Sequence, residues 1–190
     1  MIKTKICGII LAGGESKRAH QNKMLLKFDN KPLILHTIDS IKPFVDKIVV
    51  VTGRYHDELA PMLDGVEVIY NKDYQKGMFS SVKAGVNAIE GNFFIIPGDC
   101  PFVSEATFKS LLKDGDFSIR VPAYLGVTGH PIYFSSKMKD VILNRNLDSN
   151  LREIRDEIGY ETIEVNDANI LNDIDTLNDY TKMLNALERN

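Results

Sequence analysis

The chain has 190 residues, 44% hydrophobic and 26% charged, with a formal net charge of −3. That length and composition give a single globular domain, residues 1–190, burying about 70% of its unfolded surface. The slight acidity argues against a nucleic-acid or anionic-membrane partner, no run approaches the roughly 20 apolar residues of a span, and two cysteines make no disulfide framework.

In chain order, Met1-Ile2-Lys3-Thr4-Lys5 faintly mimics a signal peptide, but the apolar stretch behind it is short and runs straight into Gly-Gly-Glu-Ser-Lys-Arg. A soluble, cytoplasmic protein is expected. Ile6 to Leu11 reads as a short buried strand. Gly13-Gly14 follows, where the backbone can approach a ligand and turn consecutive N–H groups toward an anion. Arg18 and Lys23 lie in the same loop. A strand that empties into a glycine turn with two fixed cations is a phosphate-binding device. It matches neither G-x-x-x-x-G-K-[ST] nor G-x-G-x-x-G.

Lys31 to Ile41 has a helical pattern, with Pro32 in the first turn. Lys47 to Gly53 is a β-branched strand, Tyr55 to Leu63 a short helix and Val66 to Tyr70 a strand. Met78 to Ile89 is a helix and Phe93 to Pro97 a strand. This alternation implies βαβ units, a mainly parallel sheet and a Rossmann-like α/β three-layer sandwich. Ligands in such sheets bind beyond the carboxyl ends of the strands, where Gly13, Gly14 and Asp99 fall.

Ser104 reads as the N-cap of a helix to about Lys113. Phe117 to Val121 and Pro131 to Phe134 read as strands, Ser136 to Asn144 and Asn150 to Ile158 as helices. Tyr160 to Val165 is a last strand and Thr176 to Glu188 a closing helix, with Tyr124 to Gly129 the best substrate-facing loop.

The loop Leu11 to Lys23 resembles the signature L-A-[AG]-G-x-S-x-R-M-G-x-x-K of the MobA-like nucleotidyltransferases. Gly77 to Gly85 resembles the family's G-x-x-x-S-[LV]-x-x-G segment, and Gly98-Asp99-Cys100-Pro101 its G-D-x-P metal motif. Gly129-His130-Pro131 and Asp173-Ile174-Asp175-Thr176 resemble its later G-H-P and D-[IL]-D-T elements. Five motifs in the family's order cover nearly the whole chain, although each alone is weak. Within the family, the loop length and Ser80-Ser81 are similar to those of the molybdenum cofactor cytidylyltransferases. Two positions depart: Arg18-Ala19-His20 stands for R-M-G, and the opening is L-A-G-G, as in the GTP-using guanylyltransferases, rather than L-A-A-G.

Nucleotidyl transfer is mostly positioning and neutralisation of crowded negative charge. The planar fork of Arg18 suits a bidentate grip on the β- and γ-phosphates, and Lys23 suits a point charge on the α-phosphate. The family's matching residues have these catalytic roles. Solvated surface cations are the competing reading of such residues, and the preceding Gly-Gly weighs against it. The resemblance further implies nucleotide binding by Leu11, Ala12, Gly13, Gly14 and Glu15, and base and ribose recognition by the segment of Ser80, Ser81 and Gly85. Helix capping and close packing are the structural alternative there.

Asp99, just after an apolar strand, can hold Mg²⁺ and so contact the nucleotide; a plain turn aspartate is the alternative. A second ligand would come from Asp173 or Asp175. In an extended segment only one of the two faces the site, and Asp175 is favoured; N-capping of the last helix is the other reading. His130 is either a substrate contact or a hydrogen-bonded structural residue.

The expected activity is Mg²⁺-dependent transfer of a nucleoside monophosphate, from CTP, to the phosphate of a molybdopterin-type acceptor, with release of pyrophosphate. A molybdenum hydroxylase would be the downstream partner. The alternatives are guanylylation from GTP, nucleotidylation of a sugar or alcohol phosphate, and a non-catalytic module that delivers cofactor.

Overall fold

The computed structural model describes residues 4–14, 22–113 and 115–171. Its centre is an eight-stranded sheet. The strands are β1 (Ile6–Ala12), β4 (Lys47–Thr52), β5 (Glu67–Tyr70), β6 (Asn92–Pro97), β7 (Ile119–Tyr124), β8 (Val127–Thr128), β9 (Ile132–Phe134) and β10 (Glu161–Glu164). The order is β10-β7-β9-β6-β1-β4-β5, with β8 paired to β7. β1 pairs in parallel with both β4 and β6, β4 with β5, and β7 with β10. Only β8 and β9 run antiparallel to their neighbours, so the sheet is mainly parallel.

Strand periodicity sorts the side chains onto two faces. Cys7, Ile9 and Leu11 of β1, Val49 and Val51 of β4, and Phe93 and Ile95 of β6 pack into one core. There they meet α3 (Met78–Asn87), α5 (Met138–Leu143) and α6 (Leu151–Ile158), through Phe79, Val82, Met138, Ile142 and Ile154. The alternate residues Ile10, Ala12, Ile48, Val50, Phe94 and Ile96 pack on the other face. Their partners are α1 (Leu33–Ile41), α2 (His56–Leu59) and α4 (Glu105–Leu111), through Ile34, Ile38, Leu59, Phe108 and Leu111. The result is an α/β/α sandwich of three layers. The two cysteines form no disulfide and are buried on opposite faces.

Several boundaries differ from the expected ones. Lys31 and Pro32 do not open α1. They form β3 (Lys31–Pro32), which pairs with β2 (Lys27–Phe28) across Asp29 and Asn30, both at positive φ as a tight hairpin requires. α2 gives way to a 3₁₀ turn, Ala60–Met62, because Pro61 offers no N–H to continue an α-helix. β7 runs past the expected end at Val121 to Tyr124 and includes Pro122, which has no backbone N–H. The missing N–H is tolerated because β9 pairs only with Ile119 and Arg120, and β8 only with Ala123 and Tyr124. Ser104 does cap α4, accepting from the Thr107 N–H at 3.3 Å. The expected closing helix from Thr176 to Glu188 lies outside the described residues.

The chain passes from β1 to β4 and β5 on one side, then crosses back to β6 on the other. β1 is therefore the switch point of the sheet, and the crevice beyond its carboxyl end is where a ligand fits.

Candidate active site

The crevice is closed by β1, β4 and β6 running into consecutive loops. The Gly98 N–H donates to the Leu11 carbonyl at 2.9 Å, tying the end of β6 to β1. Leu11 and Ala12 are themselves buried strand residues, so their backbone is what they offer a ligand. Gly14 is exposed, with open space where a Cβ would lie.

Lys23 begins a 3₁₀ turn, Lys23–Leu25, capped by the Asn22 side chain, whose Oδ1 accepts from the Met24 N–H at 3.2 Å. Met24 is buried, its sulfur only 2.9 Å from where a Cβ on Gly98 would lie. The turn thus sits directly on the β6 loop. Lys23 and Asp99, two groups of the expected site, consequently meet: the Lys23 ammonium pairs with Oδ2 of Asp99, and both side chains are largely shielded from solvent. Asn22 Nδ2, beside them in the chain, is buried and has no hydrogen-bond partner among the described residues. Such a donor is costly unless a ligand or water meets it.

On the other side of β1, Ser80 and Ser81 are buried in the first turns of α3. Neither hydroxyl caps the helix. Both accept from Asn71 Nδ2, at 2.8 and 3.0 Å, and Ser80 donates back to the Gly77 carbonyl at 2.7 Å. Asn71 Oδ1 accepts the Asp73 N–H at 3.0 Å. Asn71 is a site residue that sequence reasoning missed. The signal that could have found it, a polar residue just past the apolar strand β5, is the one that marked Asp99.

Ser81 faces the glycine loop. A Cβ on Gly13 would lie 2.6 Å from Ser81 Oγ, closer than real contacts allow. Gly53, just past β4, is a second missed position: a Cβ there would lie 2.5 Å from the Gly13 carbonyl oxygen. The two strand ends approach backbone to backbone, which only glycine permits. Gly85 is a third position of close approach. It lies beneath the helix against the sheet, where a Cβ would come within 2.5 Å of Ile9 and 3.0 Å of Val51. That is the close packing given above as the structural alternative.

His130 approaches from the β8–β9 connection. It is half-buried, and its Nδ1 is buried with no hydrogen-bond partner among the described residues. Burial holds its pKa down at about 4, against the pull of Asp99 and with a smaller push from Arg155. The ring is neutral at pH 7, with one nitrogen still to be satisfied. Structure therefore brings Gly13, Lys23, Ser80, Ser81, Asp99 and His130 to one end of the sheet. Glu15, Arg18, Asp173 and Asp175 lie outside the described residues.

Among the described residues, no three His, Cys, Asp or Glu side chains gather as a metal cage. Among the described residues, the expected donor at the crevice is one buried carboxylate, Asp99. That suits Mg²⁺, which keeps several waters and shares its shell with phosphate oxygens, better than an ion needing an all-protein cage. No helix among the described residues is long and apolar enough to cross a membrane.

Known proteins share this arrangement. The MobA-like NTP transferase domain matches residues 8–162. The molybdenum cofactor cytidylyltransferase of Escherichia coli K12 is 31% identical over 179 residues, covering 90% of this chain and 92% of that protein. A probable molybdenum cofactor guanylyltransferase of Pyrococcus horikoshii is 30% identical over 118 residues, covering 62% of this chain and 60% of that protein. The solved structure of Rv0371c from Mycobacterium tuberculosis H37Rv has the same fold, with a TM-score of 0.85 at 24% identity over 96% of this chain and 99% of that one.

Proposed function

The chain belongs to the MobA-like NTP transferase family and is a nucleotidyltransferase; on that premise we propose that it transfers CMP from CTP to the phosphate of a molybdopterin cofactor. An oxygen of the acceptor phosphate attacks the α-phosphorus. The bond from that phosphorus to the bridging oxygen of the β-phosphate breaks, and pyrophosphate leaves. The observation that carries this reading is the Lys23–Asp99 pair at the switch point of the sheet. A shielded lysine on a carboxylate at this place supplies one charge for phosphate and one for a cation.

In the reaction, Lys23 exchanges part of its contact with Asp99 for the α-phosphate, where its charge offsets that of the transition state. Arg18 grips the outer phosphates. Asp99 would hold Mg²⁺ together with triphosphate oxygens and Asp175 or Asp173, and the ion would neutralise charge on the phosphates. His130 and Asn22 present buried, unsatisfied nitrogens suited to acceptor or phosphate oxygens. Delivery of the product to a molybdenum hydroxylase in the cytoplasm completes the proposal.

The choice of CTP rests on Ser80-Ser81 and on likeness to the Escherichia coli cytidylyltransferase. Gly13 and the Pyrococcus horikoshii relative favour GTP as the second reading. The packing weakens the Gly13 signal, because Ser81 leaves no room for a methyl at position 13 whichever base is bound. The test is pyrophosphate release with each of the four triphosphates, with molybdopterin cofactor as acceptor. CTP should give the highest kcat/KM. A GTP preference would establish the second reading, and no release with any triphosphate would remove both.

A further inference from the structure

We propose that Asp167 is a positioning residue that holds the Asp99 loop and His130 in one geometry, acting through Asn169 and Ile170. The kinetic part of the inference rests on the nucleotidyl transfer proposed above; the structural part does not.

Asp167 lies just past β10, far in sequence from both arms of the site, and is buried. Among the described residues it has no cationic partner; neutral donors surround it. Oδ2 accepts from the Ser104 N–H and from Thr107 Oγ1, both at 2.8 Å, and Oδ1 accepts from the Asn169 N–H at 3.1 Å. Burying a carboxylate is costly, and charge-assisted bonds of this kind are what make it tolerable. Capping α4 does not need it, because Ser104 already supplies its own cap to the Thr107 N–H.

What Asp167 adds is a fixed start for the 3₁₀ turn Ala168–Leu171, whose two inner residues reach the site. Asn169 Nδ2 donates to the Phe102 carbonyl at 3.0 Å. Phe102, three residues beyond Asp99, has φ +66°, a left-handed conformation that a bulky residue adopts only where its surroundings impose it. Its ring is held as well, against Phe28 at 5.2 Å and His36 at 4.9 Å between centroids. The Ile170 carbonyl accepts the His130 N–H at 2.9 Å. It also presses so closely on Gly129 that a Cβ there would overlap it. One short turn therefore braces the strained loop after Asp99 and the backbone of His130 together. Among the described residues no hydrogen bond joins this turn to Gly13, Ser80 or Ser81.

Asp167→Asn keeps the shape but turns an NH₂ group toward at least one of three donors. Asn169→Ala removes the side-chain link to Phe102 and keeps all three donors on Asp167. Three readings are needed on each variant at a temperature well below its unfolding midpoint. They are hydrogen exchange of the backbone amides, CTP affinity by calorimetry without divalent metal, and steady-state kinetics with CTP and molybdopterin cofactor. Exchange should rise about tenfold in residues 99–104 and 129–131 for Asp167→Asn, and in residues 99–104 for Asn169→Ala. Acceptor KM should rise, or kcat fall, by about tenfold while CTP affinity stays within about twofold, the split expected when one wall of a site loosens. If exchange in these segments is unchanged, or if activity falls only with the folded fraction at constant KM, Asp167 is merely structural. A wild-type enzyme inactive with this acceptor would overturn the proposed function, and the exchange measurement would still decide the positioning role. Should Asp167→Asn not fold, Asn169→Ala alone decides it, through the loop that follows Asp99.

Discussion

Lys23 and Asp99 form an ion pair at the carboxyl end of β1 and β6, with only 15% and 8% of their side chains exposed. Removing one partner of a shielded pair leaves the other charge uncompensated, which costs about 3 kcal/mol. Lys23→Met should therefore lower stability by about that amount, and adding Asp99→Asn should recover much of the loss. Urea unfolding of the two single variants and the double one measures the coupling. Simple additivity would mean that the two side chains are independently solvated.

Gly13 and Ser81 are a second coupled pair. Gly13→Ala places a methyl 2.6 Å from Ser81 Oγ, so it acts on the serine before it acts on any base. The variant should lose about 1–3 kcal/mol as an overpacked site, and Ser81→Gly in the same chain should relieve it. Thermal unfolding of the single and double variants checks this. If Gly13→Ala alone is neutral in stability and only changes CTP against GTP preference, position 13 reads the base directly.

Asn71 holds both serines with one amide nitrogen. Asn71→Asp replaces that donor with an acceptor and leaves two buried hydroxyls competing for it. Nucleotide KM should rise about tenfold or more, with a stability loss of about 1–3 kcal/mol. Kinetics at saturating acceptor, beside a melting curve, give both numbers. An unchanged KM would limit Asn71 to a structural role.

His130 carries a pH signature. Its pKa falls from 6.5 to about 4 on folding, so between these values the unfolded chain binds more protons and stability rises with pH. The contribution is present above the unfolded value and is lost on acidification through this window. From pH 7 to pH 5 it should amount to roughly 2 kcal/mol, and His130→Gln should remove that part of the slope. Urea unfolding of both proteins at the two pH values tests it; parallel losses would place the titration elsewhere.

The strand, the glycine loop and the position of Asp99 were legible because each is written locally, in an apolar run and the residues that end it. The sandwich followed from the alternation of strands and helices. Gly85 kept two readings because close packing against Ile9 and Val51 and close approach to a ligand leave the same mark on a sequence, a glycine. β8 was read as loop because two residues carry no periodicity. Asn71 and Asp167 escaped for a different reason. Their meaning lies in partners that folding supplies: Ser80 and Ser81 nine and ten residues away, and Ser104 and Thr107 some sixty away.

The most direct measurement of the central claim is the fate of the triphosphate. With CTP labelled at the α-phosphate and molybdopterin cofactor as acceptor, mass spectrometry should find the acceptor heavier by one CMP, carrying the label. The β- and γ-phosphates should appear together as unlabelled pyrophosphate. An acceptor that gains only a phosphate from the γ position, or that is unchanged while CTP is consumed, would contradict the account.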